Sequence, residues 1–197
     1  MTDSPLNVLV VCGSNSASSS TKVALAEIAG QLQQAGCAVD VLDLHDTQLP
    51  ILNPESSWGA DYYGPLKARV AKADAFVLGT PDYHGSISGA IKNFLDHFWK
   101  EFAGKLFATV VASHEKGLTV HDQLRTIARQ CYAWTMPYGL SLDEKADLKD
   151  GRIAGEVFAQ RLTMLVRDLQ VYGRLLAGQR AADLAGTEPG FLARHRK

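Results

Sequence analysis

Three short stretches hold the residues best placed to do chemistry. The first is residues 12–22, Cys-Gly-Ser-Asn-Ser-Ala-Ser-Ser-Ser-Thr-Lys, where hydroxyls at Ser14, Ser16, Ser18, Ser19, Ser20 and Thr21 crowd the start of a helical pattern. A helix start carries unpaired backbone N–H groups and a partial positive charge. Hydroxyls gathered there make a neutral anion cradle that suits a phosphate monoester. An ordinary N-cap needs only one hydroxyl. The stretch is not a Walker A loop, because no Gly-Lys-Ser/Thr follows, and it is not GxGxxG, because Gly13 stands alone. Both absences count against ATP, GTP or a resident dinucleotide. A Cys closing a strand before a polar loop also opens the small tyrosine phosphatase motif. That motif needs an Arg six positions after the Cys to hold the phosphoryl oxygens, and Ser18 occupies that place.

The second stretch is Pro81, Asp82, Tyr83, His84 and Gly85. Pro stops a strand, Gly85 permits a positive φ, and Tyr83 and His84 offer flat faces with polar edges. A flat heteroaromatic ring fits such a loop, its edge read by backbone groups; an ordinary turn with incidental aromatics has the same composition. The third is Ser113-His-Glu-Lys-Gly117, with Ser113 and His114 as ring-edge candidates beside the simpler reading of a solvated loop.

The surrounding chain must position these stretches. Residues 7–12 (NVLVVC), 75–80 (AFVLGT) and 107–112 (FATVVA) are short β-branched apolar runs, the pattern of strands buried on both faces. Residues 39–44 form a mixed apolar and acidic strand expected at a sheet edge, and 134–136 a short fifth strand. Helical patterns fill the intervals: one after the first loop, up to a stop at Gly36, then 65–73, 88–98 and 120–132. A long pattern over 152–177 is expected to break once. The last twenty or so residues, polar and Gly-containing, are expected to form a loose tail. Alternating strands and helices predict a parallel sheet covered on both faces. Five units in 197 residues predict one flavodoxin-like three-layer α/β domain over 1–197, with strand order 2-1-3-4-5. Ligands of such sheets sit beyond the carboxyl ends of the strands, where all three stretches fall.

Composition narrows the function. A net charge of −1, with basic and acidic residues interspersed, gives no basic stripe for nucleic acid. No apolar run approaches the roughly 20 residues that span a bilayer. The first residues lack the signal-peptide pattern, so a cytoplasmic protein is expected. Cys12, Cys37 and Cys131 lie in apolar surroundings, as buried thiols do. His45, His97 and His121 have no metal-ligand spacing and are read as structural or surface groups. Asp143, Glu144, Asp147 and Asp150 are read as a solvated loop rather than a divalent site, so no metal is expected. Trp58, Tyr62 and Tyr63 are candidates for a subunit interface or a ligand cover.

Residues 81–96, PDYHGSISGAIKNFLD, resemble the signature of the NADPH-dependent FMN reductases: Gly89, Lys92, Asn93 and Asp96 match in register. The first loop resembles the same family's Gly-Ser-x-Arg-x-x-Ser-x-Asn through Gly13, Ser14 and Ser19. The likeness covers about residues 7–135. The departures are Ser16 for Arg, Thr21 for Asn, Asp82 for Glu, His84 for Asn and Ser88 for Pro. Without the Arg, the phosphate must rely on hydroxyls and amides, which predicts weaker retention.

The resemblance implies bound FMN and NADPH or NADH as co-substrate. It implies ping-pong hydride transfer to FMN, then two-electron reduction of a small-molecule acceptor such as a quinone, free flavin, azo dye or metal oxyanion. It also implies a homodimer or homotetramer. FMN would be held by Ser14, Ser16, Ser19, Ser20 and Thr21 at its phosphate. Pro81, Asp82, Tyr83, His84, Gly85, Ser113 and His114 would lie at its ring. The flavin carries the chemistry, so no catalytic side chain is expected. The alternatives are a non-enzymatic FMN electron carrier, which usually shows a stronger acidic excess than this chain, and a flavin-free relative.

Overall fold

A computed structural model describes residues 4–196. Strands β1 (Asn7–Cys12), β2 (Ala38–Asp43), β3 (Ala75–Pro81) and β4 (Leu106–Ala112) run parallel in the order β2-β1-β3-β4. The fifth position is divided between β5 (Trp134–Thr135) and β6 (Leu140–Leu142), both parallel to β4. The anticipated order therefore holds, with its last strand interrupted at residues 136–139, where Pro137 withholds a ladder donor.

Side-chain alternation explains the three layers. Val8, Val10 and Cys12 of β1, with Ala75 and Val77 of β3, face a core built on α1 (Ser20–Gln34) and α6 (Glu156–Ala185). Leu9, Val11, Phe76, Leu78 and Phe107 face the opposite core, under α2 (Tyr63–Lys72), α3 (Gly89–Asp96) and α4 (Leu118–Gln130). Period two on a doubly covered sheet buries all but one end residue of each of β1, β3 and β4, so they read as continuous apolar strings. On the second face Phe76 meets Phe102 and Phe107 edge-to-face, each at 5.2 Å between centroids. Lys105 enters this core at its rim. Its ammonium donates to the carbonyls of Val70 and Ala71 at 2.9 Å each, at the end of α2, and burial lowers its pKa to about 7.

The C-terminal third departs most from expectation. The final helix begins at Glu156, not 152, and runs unbroken to Ala185. The residues before it form α5 (Glu144–Asp147) and a hairpin of β7 (Leu148–Lys149) and β8 (Arg152–Ile153). The expected loose tail begins as the last turns of this helix, to Ala185, and continues as a segment that packs back on the domain. Leu192 is buried, Phe191 stacks on Tyr132 at 6.2 Å, and the Arg194 guanidinium sits 4.0 Å from the same ring. Apolar burial and a cation–π contact hold a stretch whose overall polarity suggested freedom. No helix among the described residues is long and apolar enough to cross a membrane.

Candidate functional site

All three predicted stretches emerge at the carboxyl ends of β1, β3 and β4, as the parallel sheet requires. Gly13 sets the first approach. Its N–H donates to the Gly79 carbonyl at 2.8 Å, and a β-carbon there would come 2.6 Å from Ile91 of α3, so only glycine lets β1 and α3 pack this closely. Ser88 bolts the same corner. Its hydroxyl donates to the Gly13 carbonyl and accepts from Ile91 N (3.2 Å) as the N-cap of α3, while its own N–H donates to Thr80 Oγ1 at 3.0 Å. A proline at this position would lose that last bond.

The first loop then enters α1. Ser19 is the N-cap, its Oγ accepting from Lys22 N at 3.4 Å, and buried Ser14 accepts from Ser16 N at 3.3 Å. Each of these oxygens keeps its own proton free to donate to an anion. Ser16 is exposed and Ser20 half-buried. Thr21 is fully buried, and its Oγ1 has no hydrogen-bond partner. A buried hydroxyl without a partner costs stability unless something meets it. This orphan at a helix start, beside free hydroxyl protons, fits a phosphate monoester. Lys22, the first cation after the loop, is paired with Asp43. His45 braces the loop from outside, its Nδ1 2.8 Å from the Asn15 carbonyl; a single His on a different loop gave the sequence no signal for this contact.

The second loop is a two-residue hairpin. Tyr83 and Ser86 exchange backbone hydrogen bonds (3.0 and 3.2 Å), and His84 and Gly85 between them take φ of 58° and 76°. Two successive left-handed residues define a primed turn. His tolerates that region better than most side chains, as Asn does, so the departure at position 84 preserves the backbone. Asp82 is held through both of its carboxylate oxygens. One of its oxygens accepts from Gly85 N (2.7 Å) and the other from the Ser113 hydroxyl (2.8 Å). The Ser113 oxygen in turn accepts from Glu115 N at 3.1 Å. Asp82 and Ser113, both lining the candidate cleft, thus also form a clamp between the second and third loops. Thr119 and Gln123 of α4 complete it by donating to the Gly85 carbonyl at 3.1 and 3.3 Å.

A buried relay supports the third loop from below. Thr109 Oγ1 lies 2.8 Å from His121 Nδ1, His121 Nε2 lies 3.3 Å from Ser141 Oγ, and the Ser141 hydroxyl donates to the Lys116 carbonyl at 2.6 Å. Because Ser141 spends its proton on Lys116, His121 donates through Nε2 and accepts from Thr109. Burial depresses its pKa to about 4, which keeps the ring neutral.

Pro81 to Gly85, Ser113, His114 and Glu115 line one cleft of about 450 Å³ with Ser20 of the first loop. All the predicted ring residues thus line one cavity of ordinary cofactor size, which the first loop reaches through Ser20, while Ser19 borders a separate cleft. Tyr83, half exposed, also borders a second cavity of about 400 Å³ lined by Asn15, Leu49, Ile51 and Asn93.

The motif residues of α3 do other work. Lys92 and Asp96 pair with each other on the surface at 2.7 Å. Asn93 pins the long connection after β2, accepting from Leu52 N (2.9 Å) and donating to the carbonyls of Leu49 and Pro50 (3.2 and 3.0 Å). Tyr62 and Tyr63 pack against their own chain, Tyr62 Oη lying 3.0 Å from His97 Nε2 and Tyr63 stacking on Phe98. Asp143 N-caps α5, accepting from Lys145 N at 2.9 Å, and Asp147 Oδ2 accepts from Asp143 N at 2.9 Å.

Sheet order and cleft define a flavodoxin-like protein with a hydroxyl-rich loop beside an aromatic hairpin. Residues 6–147 match the family model of the NADPH-dependent FMN reductases. The chain belongs to that family, with FMN as cofactor and NAD(P)H as co-substrate. It is 29% identical over 171 residues to an NADPH azoreductase of Bacillus sp. (strain OY1-2), covering 85% of this chain and 92% of that protein. It is 26% identical over 170 residues to the NADH-dependent FMN reductase SfnE of Pseudomonas putida, covering 81% and 88%. In fold it is similar to FerB, an NAD(P)H:(acceptor) oxidoreductase from Paracoccus denitrificans, with a TM-score of 0.69 at 22% identity over 86% of this chain and 98% of that one.

Proposed function

We propose that this chain holds FMN in the cleft between the hydroxyl loop and the Tyr83 hairpin, and works as a ping-pong NAD(P)H:acceptor reductase. The observation that carries the reading is the buried, unpartnered Thr21 hydroxyl at the start of α1, next to Ser20, which lines one cavity with the aromatic hairpin. The chemistry supplied by bound FMN is hydride acceptance from NAD(P)H and two-electron delivery to an acceptor in a second half-reaction. The protein's part is binding and orientation. Ser14, Ser19 and Thr21 donate hydroxyl protons to the phosphate, with Ser16 and Ser20 at the mouth. The Asp82–Ser113 clamp fixes the floor under the ring, and Tyr83 and His84 form its rim, with His114 across from them.

The acceptor is a small oxidised aromatic, an azo dye or a quinone, with free flavin and metal oxyanions as further candidates. The names of the azoreductase relatives support the azo dye, and exposed Ile51 and Tyr83 beside the cleft support a planar apolar partner. We also place the protein in the cytoplasm as one domain in an assembly of two or four copies. Exposed Trp58 and Trp99 are the apolar surface that supports assembly.

Initial rates of NADPH and NADH oxidation, with FMN-loaded protein and varied azo dye or quinone, test this reading. Parallel double-reciprocal lines, well above the rate with free FMN alone, are expected. Intersecting lines would refute the ping-pong order. Rates equal to the free-FMN control would refute the enzyme.

A further inference from the structure

The cradle at the start of α1 is rich in donors and poor in charge. Residues 13–21 contain no Lys or Arg, and Lys22 is occupied by Asp43. A phosphate monoester brings close to two negative charges at neutral pH. Hydroxyls and a helix start stabilise them, but a partly buried dianion without a counter-charge remains costly.

The facing wall carries a cation. A cleft of about 780 Å³ opens at Ser18 and Ser19, runs along Lys22, Val23 and Ala26, and is bounded opposite by Gly151, Arg152 and Ile153. Gly151 lies in the turn of the β7–β8 hairpin, and Arg152 and Ile153 follow it on β8. Asp150 and Gly151 take φ of 50° and 71°, the left-handed pair of a two-residue primed turn, and Leu148 and Lys149 pair with Ile153 and Arg152. The hairpin is fixed from both sides. Leu148 and Ile153 pack on the core, and the Asp147 carbonyl accepts from Ala154 N (2.8 Å) and Gly155 N (3.1 Å). Strand β8 packs against α1. Arg152 is exposed, and among the described residues its side chain makes no ion pair or hydrogen bond. The carboxylate that lines this cleft, Glu27, lies about two turns further along α1 and accepts from Gln31 at 2.9 Å, and Asp43, which meets Lys22 of the same cleft, is spent on that ion pair.

We propose that Arg152 is the counter-ion of the FMN phosphate, reaching across this cleft from the hairpin to close over Ser18 and Ser19. The inference rests on the reading of the neighbouring cavity as an FMN site. A planar guanidinium suits a phosphate because it presents two parallel N–H donors to two oxygens, and a free, solvated Arg moves to such a partner without breaking an existing bond. The charge that the loop lacks at Ser16 is then supplied by a segment far along the chain.

Titration of the full chain with FMN and, separately, with riboflavin tests the assignment, because the two ligands differ only in the phosphate. The ratio of their dissociation constants isolates the phosphate's share. Arg152→Gln is expected to weaken FMN by about 10- to 100-fold and leave riboflavin unchanged, a charged hydrogen bond having been lost. Arg152→Lys should recover part of that loss, and rising salt should weaken FMN binding to the native chain more than to the Gln variant. Lys149→Gln, across the hairpin but outside the cleft, should leave the ratio as in the native chain. An unchanged ratio in Arg152→Gln would overturn the counter-ion while leaving the FMN site standing. A native chain that binds neither ligand would overturn both.

Discussion

The two ends of the cleft are built on opposite plans. At the phosphate end, Ser14 and Ser19 accept backbone bonds but retain their protons, and Thr21 Oγ1 is buried with no partner at all. At the ring end, the polar side chains answer one another: Asp82 takes Gly85 N and Ser113, while Thr119 and Gln123 take the Gly85 carbonyl. The first end holds its donors in reserve for a ligand. The second spends them on the shape of a hairpin and leaves recognition to backbone groups and the exposed face of Tyr83. The same residue type therefore does different work on the two sides: Ser14 and Ser19 keep hydroxyl protons that the proposed reading gives to the phosphate, whereas Ser113 spends its proton on Asp82.

That contrast predicts which substitutions separate ligand from scaffold. The largest effect belongs to Asp82→Ala, which removes the acceptor of two hydrogen bonds. Charged hydrogen bonds contribute about 1.5–3 kcal/mol each, so the melting temperature should fall by several degrees, and FMN and riboflavin should weaken together. Loss of FMN affinity alone would make Asp82 a phosphate-side group and break the comparison. Ser19→Ala comes next. It removes the cap of α1, at a cost of about 1 kcal/mol, and should weaken FMN while sparing riboflavin; unchanged FMN binding in a titration would take Ser19 out of the cradle. Thr21→Val is the sharpest case. It should weaken FMN by about tenfold, yet leave the apo-protein as stable as before or more so, because an unpaired buried hydroxyl is replaced by an apolar group of the same shape. A marked drop in apo stability would mean that the oxygen already has a partner.

The smallest effect concerns the relay beneath the third loop. His121 titrates near pH 4 in the folded state, against an ordinary value of 6.5. Between those values the unfolded chain binds the extra proton, so stability falls as pH drops from 6.5 towards 4 and is unaffected by this group above 6.5. Thermal melts at pH 7 and pH 5 should therefore differ less for His121→Gln than for the native chain. An equal difference in both would remove His121 from the account.

The elements of the fold were readable where periodicity was strong. The unbroken apolar runs of β1, β3 and β4 state that both faces are covered, and the weaker acidic pattern of β2 states its edge position. The short elements were not readable. Strands of two residues have no period, and the Asp-Gly at 150–151, a good hairpin signal, lay inside an acidic stretch read as solvated loop. The C-terminal segment misled through average polarity, since a few residues, Phe191, Leu192 and Arg194, hold it against Tyr132 and the core. At the site, composition located the three loops but not the division of labour between them. Asp82 and Ser113 meet across 31 positions of sequence, and Ser88 reaches Gly13 across 75, distances over which residue type carries no pairing information.

The most direct test of the account is the visible spectrum of the protein after incubation with FMN and removal of the unbound flavin, followed by anaerobic addition of NADPH and, separately, of NADH. The account predicts flavin retained on the chain and bleached by at least one of the two nucleotides. Protein that emerges colourless, or retained flavin that keeps its colour with both donors, would contradict it.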